Sequence, residues 1–254
     1  MSYLCIAKCE DMKFETIDDL RNSKAIILDF WEKYLEIGDV LMSQDIFVNA
    51  ILHRISSVNE AFNELTSDEF NYIGAVPLIR LQIDTLLYCY AGSLVEDFNV
   101  FLECFLSGRK WTNLKDREGN ELSEKYLLQK LSEIYKSEGL TKIYKETSNF
   151  IHLSNSHLYM TLIKSDNGDL NQRVGEFTFC DNENDILDIM LVINQLIMRI
   201  IVFTYVQARY QEMDIFNDLR AKYPEKSDAE LIYQFGINYD KVEDLFFSQL
   251  RTKQ

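Results

Sequence analysis

The sequence is poor in glycine and proline, with 9 Gly and 2 Pro in 254 residues. Both residues are unfavourable inside helices and frequent in turns, so a chain with few of them is expected to form long helices. This length can bury the core of one large domain or of two small ones. We therefore predict a soluble, mainly α fold, a helical bundle.

Positive charge is also scarce. The chain has 26 Lys and Arg against 41 Asp and Glu, a formal net charge of −15. Such a chain repels a phosphate backbone as a whole, so nucleic-acid binding would need a local basic patch. Anionic membrane surfaces are disfavoured for the same reason.

Paired cysteines are missing as well. The five cysteines are irregularly spaced without a CxxC pair, which is typical of free thiols in a reducing compartment. Cys5 and Cys9 could form only a weak metal half-site because the histidines lie far away in sequence, so we expect no metal and no cofactor. The first residues lack the cationic start and apolar run of a secretory signal, and we expect a cytoplasmic protein.

No uninterrupted membrane span is present. Residues 186–206 are long enough to cross a bilayer, but Asp188, Asn194, Gln195 and Arg199 interrupt them. A charge at mid-membrane costs roughly 2.5–3.5 kcal/mol. We interpret this stretch as the central buried helix of a soluble bundle.

Several catalytic motifs are absent too: GxxxxGK[ST], GxGxxG, GxSxG and HExxH. The sequence therefore gives no motif support for a nucleoside triphosphatase, a dinucleotide-dependent oxidoreductase, a hydrolase-fold esterase or a zincin.

What the sequence does contain is helical periodicity. Apolar residues at three- and four-residue steps predict helices over 17–37, 43–65, a segment through Pro77 to Leu87, 95–106, 121–137, 141–152 and about 185–213. Asn167-Gly168 is a turn signal and predicts a small β-hairpin insertion near residues 157–180. We predict that residues 1–215 form the bundle and that residues 216–254 form a C-terminal helical hairpin packed on or beside it.

The segment 144–159, YKETSNFIHLSNSHLY, is the first candidate site. It holds His152 and His157, two of the three histidines, and Ser148 lies one helical turn before His152. Histidine is the natural proton carrier near neutral pH. The alternative is that these side chains close a helix and bond to the backbone.

A charged pair is the second candidate. Arg80 and Asp84 lie four residues apart among apolar residues. They form either an exposed or purely structural strip or a buried ion pair, which must be compensated because desolvation costs several kcal/mol per ion. A buried pair could orient His152 or bind an anionic ligand.

Three further polar features have two interpretations each. Asp188, Gln195 and Arg199 share one helix face, which is either exposed or meets the Arg80 strip. The basic residues beside Trp111 in the loop 108–123 suit either solvent or a nucleic-acid contact, and we favour solvent. The tail is similar to a helix-turn-helix, but its second helix is acidic, so packing or partner contact is favoured over DNA binding.

The helix with R-x-x-x-D, followed by Y-x-x-x-S-x-x-x-H, resembles a poorly characterised group of bacterial helical proteins near the HEPN superfamily. The matching residues are Arg80 and Asp84, then Tyr144, Ser148 and His152. The resemblance covers about residues 46–205 and implies a helical fold, a dimer and a setting in bacterial defence or toxin–antitoxin systems. Ribonuclease members carry an arginine five to seven positions before a histidine, and neither His152 nor His157 has one.

The function expected from these patterns is binding, through a pocket built from Arg80, Asp84, Ser148, His152 and His157. A homodimer, a protein partner, and RNA or a nucleotide are the partner classes considered. The first alternative is a metal-independent ribonuclease or nucleotide-acting enzyme, with His152 as general acid/base and Arg80 holding a phosphate. The second is a DNA-binding regulator that acts through the C-terminal hairpin.

Overall fold

The structure, a computed structural model, describes residues 14–35, 43–68, 70–135, 139–151, 162–164, 167, 170–172, 183–206 and 220–225. This part of the chain is mainly helical, which confirms the predicted fold class at that level. The helices are α1 Ile17–Arg21, α2 Ser23–Tyr34, α3 Ser43–Leu65, α4 Tyr72–Leu94, α5 Phe98–Leu106, α6 Glu124–Tyr135, α7 Gly139–Ile151 and α8 Glu183–Ile200. A short 3-10 turn covers Trp111–Asn113, and a π-helical segment, Ile201–Val206, continues α8.

Helix α4 is the centre of the bundle. It packs most extensively against α8, α3 and α7, and also contacts α5 and α6. Buried positions occupy most of the circumference of α4, and only the strip through Leu81 and Asp84 is half-buried or exposed. A buried polar side chain on α4 needs hydrogen-bond partners, which neighbouring helices can supply, and this requirement builds the site described below.

Local hydrogen bonds explain where one predicted helix is interrupted and where another begins. The predicted helix over 17–37 is split at Asn22, whose backbone N–H and side-chain amide both donate to the carbonyl oxygen of Asp18. Helix α4 begins after Asn71, whose side chain accepts from the backbone N–H of Gly74 at 3.0 Å. Pro77 lies inside α4, in its second turn.

Helix α8 contributes a large part of the core. Its buried residues include Ile186, Met190, Ile193 and Ile197. Within the described residues, Glu183–Val206 is the one helical segment long and apolar enough to cross a membrane, by length and composition alone. Most of this segment is buried inside the bundle, as in the core helix of a soluble protein.

The predicted β-hairpin insertion is described only at its middle. Leu162–Lys164 (β1) and Leu170–Gln172 (β2) pair antiparallel, with Leu162 opposite Gln172 and Lys164 opposite Leu170. The rest of the interval 157–180, apart from Asn167, lies outside the described residues, so the insertion as a whole stays a prediction. The same holds for the boundary between residues 1–215 and the C-terminal hairpin, because only 220–225 are described beyond residue 206.

Candidate functional site

The candidate site forms where α4, α6 and α7 meet, around the side chain of Arg80. Arg80 and Asp84 lie one turn apart on α4, and the guanidinium donates from Nη1 to Asp84 Oδ1. The side chain of Arg80 is 11% exposed and that of Asp84 is 30% exposed. The pair is therefore a partly buried ion pair rather than an exposed strip.

Helix α7 supplies the next two partners of Arg80. Arg80 Nε donates to Ser148 Oγ at 3.1 Å, and Nη2 donates to the Tyr144 hydroxyl at 2.5 Å. The guanidinium carbon also lies 3.8 Å from the centroid of the Tyr144 ring, within the range of a cation–π interaction. Ser148 is fixed in turn, because its hydroxyl donates to the Tyr144 carbonyl oxygen at 2.6 Å.

Helix α6 completes the cluster with one carboxylate. The Tyr144 hydroxyl accepts from Arg80 and donates to Glu124 Oε2, so this one hydroxyl connects three helices. We call Arg80, Asp84, Glu124, Tyr144 and Ser148 the Arg80 cluster. It contains one cation and two carboxylates within a single hydrogen-bonded network.

Burial sets the proton affinities in the cluster. Burial lowers the pKa of Arg80, while the nearby Tyr144 and Glu124 act in the opposite direction. Burial, followed by the hydrogen bond to Glu124, raises the pKa of Tyr144 to about 12. At neutral pH Tyr144 is therefore a neutral phenol that can accept from Arg80 and donate to Glu124 at the same time.

Of the predicted site residues, the structure brings together Arg80, Asp84 and Ser148. His152 and His157 lie outside the described residues, so their part in the site stays a prediction. Glu124 was missed by the sequence analysis, because nothing in its surroundings distinguishes it from other acidic residues in the first turn of a helix.

The polar face of α8 does not meet the Arg80 cluster. Asp188 and Arg199 are exposed, and Gln195 donates to the carbonyl oxygen of Phe14 at the other end of the described chain. The face therefore does not meet the Arg80 strip: Asp188 and Arg199 are exposed as in the first alternative, while Gln195 is half-buried.

Instead, α8 contributes the buried amide of Asn194, which the sequence marks only as an interruption of the apolar stretch 186–206. Asn194 exchanges hydrogen bonds with Asn59 of α3 at 3.1 and 3.2 Å, and Gln82 of α4 donates to Asn194 Oδ1 at 2.8 Å. All three side chains are fully buried. We call Asn59, Gln82 and Asn194 the amide triad.

The basic loop between α5 and α6 is ordered by its own side chains. Trp111 is buried against Tyr88, with ring centroids 5.2 Å apart, so its ring is not available to stack on a base. Arg109, Lys110 and Lys115 are exposed. This agrees with the solvent-facing interpretation of the loop's charges.

Within the described residues, no group of three or more His, Cys, Asp or Glu side chains could hold a metal ion. Cys89 and Cys104 are buried free thiols, and burial raises the pKa of Cys89. A buried thiol of this kind is a poor nucleophile because the thiolate is the reactive form.

Comparisons with known proteins gave no relative: no protein-family model, no curated protein and no solved structure matches this chain.

Proposed function

We propose that this chain is a soluble helical protein that acts by binding, and that the Arg80 cluster is its ligand site, with Arg80 holding an anionic group. The observation that carries the proposal is the environment of the guanidinium. Ser148 and Tyr144 fix it from α7 through Nε and Nη2, while Asp84, its partner on the third nitrogen, Nη1, is the more exposed of the two ion-pair members.

The chemistry of arginine supports an oxyanion as the ligand. A guanidinium presents five N–H donors in a fixed fork that matches the oxygens of a carboxylate or a phosphate. Among the described residues, the contacts of Arg80 use one donor on each of its three nitrogens, and one of these donors is taken by a carboxylate, that of Asp84. A nearly buried guanidinium also requires an anion beside it, because an uncompensated charge in that position is costly.

Electrostatics favour a small ligand over a polyanion. The chain carries a net charge of −15, and Glu124 adds a negative charge to the cluster itself. A duplex or a long single strand would bring many phosphates close to this acidic surface. A single phosphate or carboxylate group, as in a nucleotide or on a protein partner, is repelled much less because it brings only one anionic group to this surface.

The resemblance to the group near the HEPN superfamily supports the setting of this proposal. The residues that carry it include Arg80, Asp84, Tyr144 and Ser148, all of which belong to the Arg80 cluster. We propose on that basis a cytoplasmic, dimeric protein of a bacterial defence or toxin–antitoxin system.

The test is a titration of the protein with inorganic phosphate and with adenosine monophosphate. Binding is measured by calorimetry and by the shifts of the NMR signals of the cluster residues. Arg80→Lys should weaken binding by about tenfold or more, because lysine keeps the charge and loses the fork. Arg54→Lys is the matched control, since Arg54 is an exposed arginine on α3 that bonds Thr85 at 2.9 Å. Binding that moves no cluster signal, or no binding of either probe, would contradict the proposal.

A second candidate, an enzyme acting on RNA or a nucleotide, is favoured by the contact of Arg80 with Ser148. That contact places the guanidinium beside α7 one turn before position 152. In this hypothesis His152 is the general acid/base and Arg80 stabilises developing charge. His152→Ala should then abolish RNA cleavage by the purified protein, and unchanged cleavage would dispose of the enzyme.

A further inference from the structure

Asp84 is the counter-ion of Arg80 and the carboxylate of the Arg80 cluster that bonds the guanidinium directly. Its carboxylate takes one donor of the guanidinium from within the same helix. The other side-chain partners of Arg80, Ser148 and Tyr144, belong to α7 and hold the guanidinium independently of Asp84. Arg80 is thus fixed on one side and paired with a replaceable carboxylate on the other.

We propose that Asp84 is a built-in competitor of the ligand, and that an anionic group binds to Arg80 by displacing the Asp84 carboxylate into solvent. This inference rests on the proposed function of the Arg80 cluster and specifies how its site is regulated. The Asp84–Arg80 contact is an autoinhibitory one, because the free protein satisfies its own binding group.

The exchange is physically balanced. Displacement replaces one oxyanion on Arg80 by another, so the guanidinium is never left without a counter-charge. The released Asp84 side chain is already 30% exposed and moves further into water, where its charge is well solvated. Tyr144 and Ser148 keep the guanidinium in place during the exchange, which keeps its orientation for the incoming group.

The competitor sets the apparent affinity. When a binding-competent form is only a fraction of the population, the apparent dissociation constant is the intrinsic constant divided by that fraction. If Asp84 occupies Arg80 about nine-tenths of the time, removing its charge should tighten ligand binding by about tenfold. Asp84→Asn is the suitable change, because it keeps the size of the side chain and removes the anion.

Asp84→Asn also makes the whole chain less acidic, and that general effect needs its own control. Glu146→Gln changes the net charge by the same amount, and Glu146 lies on α7 two residues before Ser148. Its side chain is 61% exposed and pairs with Lys142 at 3.8 Å, away from the guanidinium. We expect inorganic phosphate to bind Asp84→Asn about tenfold more tightly than wild type, and Glu146→Gln less than about twofold more tightly.

The outcomes separate the two proposals. If Arg80→Lys abolishes phosphate binding while Asp84→Asn gains no more than Glu146→Gln, the cluster binds anions and Asp84 is not a competitor. If neither the wild type nor Asp84→Asn binds phosphate, both proposals fail. If Asp84→Asn does not fold, the wild type can be tested instead. The NMR signal of the Asp84 carboxyl carbon should move on saturation with phosphate. An unmoved signal in the presence of bound phosphate would overturn the proposal that Asp84 competes with the ligand.

Discussion

Gly92 lies where α4 packs against Tyr205, in the π-helical continuation of α8. A Cβ atom at position 92 would lie 2.5 Å from the Tyr205 hydroxyl and 2.9 Å from Phe101 Cε1, both closer than van der Waals contact. Tyr205 cannot easily retreat, because it is buried and donates to the Cys89 carbonyl oxygen at 2.9 Å. Glycine is required here by the packing, against its low helix propensity.

Gly92→Ala should therefore destabilise the protein, although alanine is the better helix former by about 1 kcal/mol. Overpacking of a tight core typically costs about 1–3 kcal/mol, so we expect a lower free energy of unfolding in a urea titration. The double variant Gly92→Ala with Tyr205→Phe should lose less than the sum of the two single changes, because phenylalanine removes the closest atom. Additive losses would mean that the hydroxyl is not the obstacle.

At the scale of elements, the connection between α5 and α6 depends on one carboxylate. Asp116 Oδ1 accepts from the backbone N–H groups of Glu118 and Asn120 at 3.0 and 2.8 Å, and Oδ2 accepts from the Tyr126 hydroxyl at 2.5 Å. Arg117 extends from this loop towards the carbonyl oxygens of Ser93 and Val95, at the C-terminal end of α4. Asp116 thus shapes the loop and ties it to α6, while Arg117 ties it to the end of α4.

Because Asp116 titrates, part of the protein's free energy of unfolding should depend on pH in the acidic range. Burial alone would raise the pKa of Asp116, but hydrogen bonds from Tyr126 and Asn120 outweigh burial and hold the pKa below its ordinary value of 3.8. The stabilisation is therefore complete above pH 3.8 and is lost as the pH falls through the lower value in the folded protein. Asp116→Asn should lower the unfolding free energy at pH 7, and its difference from wild type should shrink below pH 3.8.

Asp188→Asn is the control for that measurement, because Asp188 is an exposed carboxylate on α8. A difference between Asp116→Asn and wild type that stays constant from neutral to acidic pH would contradict the role given to the carboxylate.

The positions of individual helices were the part of the structure that the sequence predicted best. The apolar period placed one helix at 43–65, and α3 has those bounds, because an amphipathic stripe reports directly on the face a helix buries. Helix 17–37 was predicted as continuous and is split at Asn22, since a local bond to a carbonyl oxygen is not visible in periodicity. Arg80, Asp84 and Ser148 were chosen as candidates, but their contact depends on α7 packing against α4, and no local signal encodes that.

At the scale of the whole molecule, the amide triad forms a buried hydrogen-bonded contact between α3, α4 and α8. The orientation of its amides is determined by the backbone. Asn194 Nδ2 donates to the Met190 carbonyl oxygen at 2.8 Å, so Asn194 Oδ1 must be the acceptor for Gln82 Nε2. Gln82 Oε1 is consequently turned away from the triad, and it is buried with no hydrogen-bond partner among the described residues.

Two substitutions in the triad should therefore change the free energy of unfolding by different amounts, although each removes one buried amide. Gln82→Met removes the unsatisfied Oε1 and leaves the reciprocal bonds of Asn59 and Asn194 intact, so the unfolding free energy should stay within about 1 kcal/mol of wild type or rise. Asn194→Leu removes the acceptor of both Asn59 Nδ2 and Gln82 Nε2 and leaves only the 3.4 Å contact between Gln82 and Asn59, so it should cost at least about 2 kcal/mol. Urea titrations of both variants measure the difference.

The pair also tests what the triad does for the bundle. Fully buried amides that stabilise the fold little can still fix the alignment of helices, because a shifted helix would leave them unpaired. If that is their role, Gln82→Met should keep its unfolding free energy and yet show broader NMR signals along α3 and α8, the helices that Gln82 joins to α4. If Gln82→Met gives sharp, wild-type-like signals, the reciprocal Asn59–Asn194 pair alone fixes the alignment. If Gln82→Met lowers the free energy of unfolding as much as Asn194→Leu does, Gln82 is needed for stability itself.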